Sequence, residues 1–500
     1  MIHLKNLTGL LLLIVLLTVQ AGAQSVAPKF PDSPAGRRIE AYFKAFNSGD
    51  ENLFRDFLKN NISSKSLEIR SIEDRIQVYH RMKEEFEALE PRKVQQTGAG
   101  SITILATARG GGWLSFMFEM EPAEPFKILS LGVEDTGPPP GEAPGGRAGM
   151  SEAIVVNDAE LIPAIEKFLD EQLRADEFSG AVMVAKNNRP IFQKAYGLAS
   201  KEHGVPNRTD TKFNLGSINK KFTEISIYQL AEAGKLSLDD RLIKHLPDYP
   251  NKAAAEKITI HQLLDMSSGI GDFFNEKFES TPKNRIRTIN DYLSLFAAEP
   301  LLFEPGTSRR YSNGGYLVLG AIIEKVSGQD YYEYVREHVY RPAGMENSDS
   351  YEADVPVPNI ASGYTRASNG RADKAAPRRS NIYSRPARGS SAGGGYSTLE
   401  DMLKFTIALQ ENRLLSPKYT SWALGERPAP GSAPKADADN AGARRNRGAL
   451  GIAGGSGGVN AALEMNLDSG YTVIVLSNYD PPSAERVARQ IRNMMRPAKQ

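Results

Sequence analysis

A serine attacks a carbonyl carbon only when a neighbouring group takes its proton, and a lysine one helical turn further on can be that group. Three pairs in this 500-residue chain have the spacing S-x-x-K: Ser217/Lys220, Ser280/Lys283 and Ser432/Lys435. Pro282 and Pro434 fall inside the second and third pairs, and proline works against the helix that would align the two side chains. Around Ser217 the pattern differs. Ile218, Phe222 and Ile225 recur at spacings of four and three, and Gly234 follows. That spacing predicts a helix that begins at Ser217, packs by one apolar face and closes at the glycine. Its positive end would favour an oxyanion beside the serine. Taken alone, the pair fits a helix-capping serine and a solvated lysine equally well.

A second group of residues adds to the first. Tyr311-Ser312-Asn313 precedes a glycine pair and a predicted helix over 316–326, closed by Gly328. A phenol beside a lysine ammonium can lose its proton below the usual value of about 10 and serve as a base. An asparagine amide can donate to a substrate carbonyl and join the hydrogen bonds of the lysine. The other Y-x-N, Tyr249-Pro250-Asn251, sits among prolines and reads as a turn. Gly454-Gly455-Ser456-Gly457-Gly458 fits the G-x-S-x-G nucleophile elbow, which needs a strand before it, a helix after it and a later histidine. Strand-like residues follow Ser456, and no histidine follows His338. His261 lies in an apolar-periodic helix and reads as a packed or surface residue.

Composition bounds what else the chain can do. There is no cysteine, so disulfides, thiolate metal sites and cysteine nucleophiles are excluded. Six histidines without an H-E-x-x-H pattern argue against a histidine-rich metal site. Residues 1–23 read as a secretory signal peptide: Lys5, an apolar run from Leu10 to Leu17, and the cleavage site Ala21-Gly22-Ala23. Removing it takes one lysine from 61, which leaves 60 basic and 60 acidic residues. A neutral field gives no reason to expect a nucleic-acid partner. No second run is long and apolar enough to span a bilayer, so no stable membrane span is expected after signal removal.

Beyond the leader, residues 32–134 read as a small α+β domain. It has helices over 35–47, 51–59 and 72–89, then strands near 101–109, 113–121 and 126–134. The phrase AYFKAFNSGDENLFRDFL and the helices-then-meander order resemble the nuclear transport factor-like cone fold. No ionisable cluster marks a site there, so packing or dimerisation is its expected role. Residues 135–151 are a Pro/Gly-rich linker. The second domain, 152–500, opens with a helix and a strand pair joined by Asn187-Asn188. It ends with strands over 461–466 and 471–477 and a closing helix over 483–495. Residues 365–395 and 426–447, rich in Gly, Pro, Ala, Arg and Ser, read as loose insertions.

Five ordered segments carry a specific resemblance: FNLGSINKKFTE, ITIHQLLDMSSGI, FEPGTSRRYSNGGYLVLGAIIEKVSGQDYYEYVREHVYRPAGM, SAGGGYSTLEDMLKF and GYTVIVLSN. Together they resemble the serine β-lactamase and penicillin-binding-protein superfamily, in its class C-like esterase/peptidase branch, over about residues 156–496. The resemblance implies an α+β fold with an antiparallel sheet flanked by helices, a helical lobe, and the active site between them. Ser217 then matches the acyl-accepting nucleophile, Lys220 its lysine partner, Tyr311 the proton shuttle and Asn313 the substrate-orienting amide. The family's third motif is Lys or His, any residue, then Gly. Here Ile452 stands at the basic position, followed by Ala453, Gly454 and Gly455. Isoleucine cannot pair with a substrate carboxylate, so esterase or peptidase activity is expected rather than β-lactamase activity. The backbone N–H of Gly455 would join that of Ser217 as an oxyanion hole on the edge strand, next to Gly454. Arg444, Arg445 and Arg447 read as a solvated basic loop. Met266 stands where many relatives have a histidine.

The expected function is a secreted, periplasmic serine hydrolase without metal or organic cofactor. It would act through an acyl-enzyme on a small ester, amide or D-amino-acid peptide. The alternatives are a catalytically decayed binding protein on the same scaffold, or an acyltransferase.

Overall fold

The structure, a computed structural model, describes residues 30–69, 71–98, 100–109, 113–136, 158–368, 371–372, 376–426 and 449–495. The expected signal peptide, almost all of the linker, the pair Ser432/Lys435 and the arginines 444, 445 and 447 lie outside the described residues. The chain divides into two compact units, Met1–Gly149 and Met150–Gln500.

In the first unit, aromatic residues at helical spacing decide which faces turn inward. Helix α1 (Pro34–Ser48) is capped by the Ser33 side chain and buries Ile39, Tyr42, Phe43 and Phe46. Asp50 caps α2 (Glu51–Asn61), which buries Phe54, Phe57 and Leu58. Helices α3 (Ser64–Ile69) and α4 (Ile72–Phe86) follow. They pack on an antiparallel meander of four strands: β1 (Leu89–Gly98), β2 (Ser101–Ala108), β3 (Trp113–Met120) and β4 (Ile128–Thr136). Tyr42 sits amid Phe43, Phe54, Phe57 and Phe118, with ring centroids 5.4–5.8 Å apart. Two expectations are corrected here. The third helix ends at Phe86, and a first strand, absent from the pattern reading, starts at Leu89. The fold also assembles an ionisable cluster that the sequence does not show. Arg55 bridges Glu51 at 2.9 Å and Glu73 at 2.6 Å, and His80 lies 3.0 Å from Glu51, which stitches α2 to α4.

The second unit is built on period-two strands. Helix α5 (Asp158–Arg174) leads to β5 (Gly180–Lys186) and β6 (Arg189–Tyr196). The last strands are β7 (Ala449–Ser456), β8 (Val459–Asn466) and β9 (Tyr471–Ser477). All pair antiparallel, in the order β7-β8-β9-β5-β6. Alternate residues face opposite layers. Val182, Val184, Val473 and Val475 pack with Leu161, Ile165 and Leu169 of α5 and with Val487 and Ile491 near the chain end. Ala181, Met183, Leu463, Ile474 and Leu476 face the other way, into the main core with the helical lobe. Among the described strands, β7 has a neighbour on one side only and forms a sheet edge.

The helix after Ser217 is more deeply placed than a one-faced helix. A 3₁₀ turn, Gly216–Ile218, carries the serine, and α6 (Asn219–Glu232) begins just after it. This helix buries polar Asn219, Lys220, Thr223 and Ser226 as well as Phe222, Ile225, Ile227, Tyr228 and Leu230. Edge-to-face contacts of Phe222 with Tyr340 and Phe405, at 5.2 and 5.1 Å, fix it from two sides. A buried polar side chain is costly unless it finds a partner, so each of the four on α6 marks a specific contact.

Candidate active site

Ser226 bonds back to the Phe222 carbonyl of its own helix, whereas the contacts of Lys220 converge on Ser217. Lys220 Nζ stands 3.3 Å from Ser217 Oγ, one turn away on the same helix face, and donates to Asn313 Oδ1 at 2.7 Å and to the Ala392 carbonyl at 2.5 Å. Tyr311 donates from its hydroxyl to Ser217 Oγ at 2.7 Å. Its ring lies 4.8 Å from Lys220 Nζ. Asn313 opens α7 (Asn313–Ser327), whose Ser312 cap accepts from Gly315 N and whose end at Gly328 is left-handed. The four residues expected from Ser217 to Asn313 therefore meet within hydrogen-bond reach.

Burial decides which of them holds a proton. Desolvation lowers Lys220 from 10.5 to about 7, and the opposing pull of the Asp272 carboxylate is smaller. A neutral amine is therefore well populated near neutrality, and a neutral amine is a base. Tyr311 goes the other way. Tyr311 is 50% exposed as a whole, yet desolvation at its hydroxyl, which faces Ser217, raises it above the usual value; the hydrogen bond to Ser217 offsets part of this, and Asp272 adds to the rise. These directions favour the lysine over the phenol as the group that sheds its proton.

The edge strand supplies the other half of the site. β7 runs directly against the turn that carries Ser217. A methyl group added to Gly454 would lie 2.5 Å from Ser217 N and inside the Leu215 carbonyl oxygen, while one on Gly216, whose φ is +51°, would lie 2.7 Å from Gly455 N. Ser456 pairs with Val459 across a two-residue turn, so Gly455 opposite Asn460 is a non-bonded pair whose N–H points off the free edge. The amides of Ser217 and Gly455 thus border the same strand contact. Gly454→Ala is expected to lower the acylation rate of Ser217 by about 100-fold or more. Stopped-flow labelling beside a melting curve would separate a displaced strand from global unfolding.

Ile452 lies two residues before Gly454 on the same strand face, half-buried against the main core. A hydrophobic side chain therefore fills the place where a basic group was sought. The competing motifs fall apart in space. Ser456 is exposed at a strand-to-strand hairpin rather than a strand-to-helix elbow. Lys283 donates to the carbonyls of Phe278, Glu279 and Thr281 and so closes a short helix. Asn251 caps the helix Lys252–Ala255. His261 is buried.

Two contributors were not legible in the sequence. Asp272 accepts from Asn313 Nδ2 at 2.6 Å and from Asn313 N at 3.4 Å. The Ala392 carbonyl, which holds Lys220, comes from the stretch 365–395 expected to be loose. Its last part is instead bonded to α6 at several points. Asn219 Oδ1 accepts from Gly395 N at 3.1 Å, and Thr223 donates to the Ser391 carbonyl at 2.7 Å. The glycines are there for close approach: a methyl on Gly395 would sit 2.6 Å from Asn219 Nδ2. Among the described residues, no group of three or more His, Asp or Glu could hold a metal ion. No helix among them is long and apolar enough to cross a membrane.

Comparison with known proteins agrees with this architecture. The family model described as Beta-lactamase matches residues 165–494. The chain is similar to PbpX of Bacillus subtilis (strain 168), a protein with a penicillin-binding name, at 30% identity over 274 residues. That match covers 53% of this chain and 66% of the relative. Protein flp of Staphylococcus aureus (strain MW2) is 30% identical over 214 residues, 42% of each chain. This chain thus spans about two fifths to two thirds of these curated relatives. Among solved structures, a penicillin binding protein from Bacillus halodurans aligns with a TM-score of 0.56 at 30% identity, covering 66% of this chain and 98% of that one. The D-amino acid amidase from Ochrobactrum anthropi SV3, at 22% identity and a TM-score of 0.54, shares the fold over 67% of this chain and 97% of its own. With its sheet, helical lobe and edge strand matched over more than half its length, the chain belongs to the β-lactamase family.

Proposed function

We propose that the second unit is a serine hydrolase that works through an acyl-enzyme on a small ester, amide or D-amino-acid peptide. One observation carries this reading: Ser217 Oγ is flanked by Lys220 Nζ at 3.3 Å and by the Tyr311 hydroxyl at 2.7 Å. The lysine is lowered to about 7 and the phenol is kept protonated. Oγ accepts from Tyr311 and gives its own proton to neutral Lys220 as it bonds to the carbonyl carbon. Charge that develops on the carbonyl oxygen faces the amides of Ser217 and Gly455. The bond to the leaving group then breaks. Tyr311 stands beside Oγ with a proton to give to that group, and the Lys220 ammonium makes good the loss. Water enters where the leaving group was, passes a proton back along the same path, and frees Ser217.

Substrate choice follows from the strand edge. With Ile452 in the basic position, no cation on β7 meets a substrate carboxylate, so neutral acyl donors are the favoured class. Ile452→His is expected to raise acylation by a carboxylate-bearing donor, such as benzylpenicillin, relative to a neutral ester by about tenfold. The ratio of the two acylation rates, measured on one preparation, checks it.

The reading as a whole is tested by a covalent trap. The protein is treated with a fluorophosphonate, and the added mass is located by tryptic mass spectrometry. An adduct on Ser217 supports an acyl-enzyme. Labelling at Ser456 would overturn the assignment, and no adduct anywhere would favour a binding protein on a decayed scaffold.

A further inference from the structure

We infer that Asp272 is a positioning residue for the Ser217 chemistry: its carboxylate fixes which end of the Asn313 amide faces Lys220. The inference rests on the acyl-enzyme reading above. An asparagine amide has two ends of nearly equal shape and opposite hydrogen-bonding character. Asp272 Oδ2 accepts from Asn313 Nδ2 at 2.6 Å. An ionised carboxylate has no hydrogen to offer, so only the NH₂ end can face it. Asn313 Oδ1 is left toward Lys220 Nζ, 2.7 Å away.

Asp272 is itself fixed. Its second oxygen, Oδ1, accepts from Phe274 N at 3.3 Å. The preceding Gly271 carbonyl accepts from Ser312 Oγ at 2.9 Å, and Ser312 Oγ in turn caps α7 by accepting from Gly315 N at 2.8 Å. Loop 271–274 and the start of α7 are therefore bonded to each other at several points. The Asp272 carboxylate also accepts from Asn313 N at the first turn of this 15-residue helix, where a negative charge is electrostatically favoured.

The consequence lies in the inventory of a neutral lysine. Its amine has two N–H bonds and one lone pair. Asn313 Oδ1 and the Ala392 carbonyl only accept, at 2.7 and 2.5 Å, and together they engage both N–H bonds. The lone pair remains for Ser217 Oγ at 3.3 Å. With Asn313 turned over, its NH₂ end would compete for that lone pair, and the base would point away from the nucleophile. Asp272 makes no hydrogen bond to Ser217, yet it decides where the lone pair goes. Besides Ser217, the following described groups face Lys220. Asp272 and Asn313 are on one side, the rings of Tyr311 and Tyr316 lie 4.8 and 5.6 Å from Nζ, and Ala392 contributes its carbonyl.

The test compares the wild-type full chain with Asp272→Leu and Asp272→Asn. It follows the second-order rate of Ser217 labelling by a neutral fluorophosphonate across the pH range. The leucine variant is expected to react about 10- to 100-fold more slowly. An asparagine at 272 can still turn an oxygen toward Asn313 Nδ2, so that variant is expected to stay within about threefold at its plateau. Its acidic limb should move to lower pH, because the charge that favours the Lys220 ammonium is gone. Equal rates for wild type and Asp272→Leu would overturn the inference, as would an Asp272→Asn profile with an unmoved limb. The second criterion decides alone if the leucine variant fails to fold in a melting experiment. Absence of any wild-type label on Ser217 would instead overturn the acyl-enzyme reading, and this inference with it.

Discussion

Ser217→Ala is expected to lower turnover of a neutral ester by about 10,000-fold or more, with the melting temperature nearly unchanged. The size follows from what is removed. In the proposed mechanism Oγ is the atom that receives the acyl group, and neither Tyr311 nor Lys220 can take its place: desolvation at the hydroxyl raises the phenol, and the amine is tied to Asn313 and Ala392. The small change in stability follows from what remains. The 3₁₀ turn is held by its backbone against Gly454, and α6 keeps its packing of Phe222 on Tyr340 and Phe405. Residual turnover would measure what the strand-edge amides and binding achieve without a nucleophile. Initial rates with a chromogenic ester, beside intact-mass spectra of the labelled protein, check both parts. Undiminished turnover in this variant would remove Ser217 from the chemistry.

Lys220→Gln is expected to slow acylation by about 100- to 10,000-fold and to abolish the acidic limb of the pH profile. In the proposed mechanism the competent base of the wild type is the neutral amine. Its fraction rises with pH through about 7, so the rate should climb tenfold per unit below that point and level off above it. A variant without the amine has nothing to titrate there. The same lysine leaves a mark on stability. Its value falls from 10.5 to about 7 on folding. Between these limits the unfolded chain holds one proton more than the folded one, so stability rises with pH across that window. Below about 7 both states are protonated and the full penalty is present, on the order of 4–5 kcal/mol. Chemical denaturation at several pH values should show this slope in the wild type and a flatter line in the glutamine variant.

What the sequence reveals about this site depends on how local each interaction is. Ser217 and Lys220 are one turn apart, and Tyr311 and Asn313 flank a helix start, so spacing alone brings each pair together. Proline inside the two rival pairs was enough to set them aside; Lys283 indeed closes a helix instead. Asp272 and Ala392 are different. Each reaches the site through tertiary packing, and Ala392 contributes a main-chain carbonyl that any residue type possesses. Glycine misled in the same region. The run ending at Gly395 looks like flexible chain, but its glycines serve close contact with Asn219. The pattern of β7, with Gly451, Gly454 and Gly455, has no alternation to read, and its place at the sheet edge came from the family resemblance rather than from periodicity. β1 was missed for a related reason. Pro91, Arg92, Lys93, Gln95 and Gln96 blur its alternation, and its pairing with β2 shifts register twice.

The strand order also sets the time at which this unit can be completed during synthesis. β5 and β6 are neighbours in sequence, but the inner edge of β5 is closed only by β9. Ser179 and Ser477, which share a hydrogen bond at that seam, are 298 residues apart. At translation rates of about 5–20 residues per second, the early hairpin waits roughly 15–60 s for its partner. Throughout that interval the apolar faces of Val182, Val184 and Met183 have no sheet to join. The first pair of strands and the last are thus joined only by a contact of very large sequence separation, the kind of pairing whose loop-closure cost slows folding.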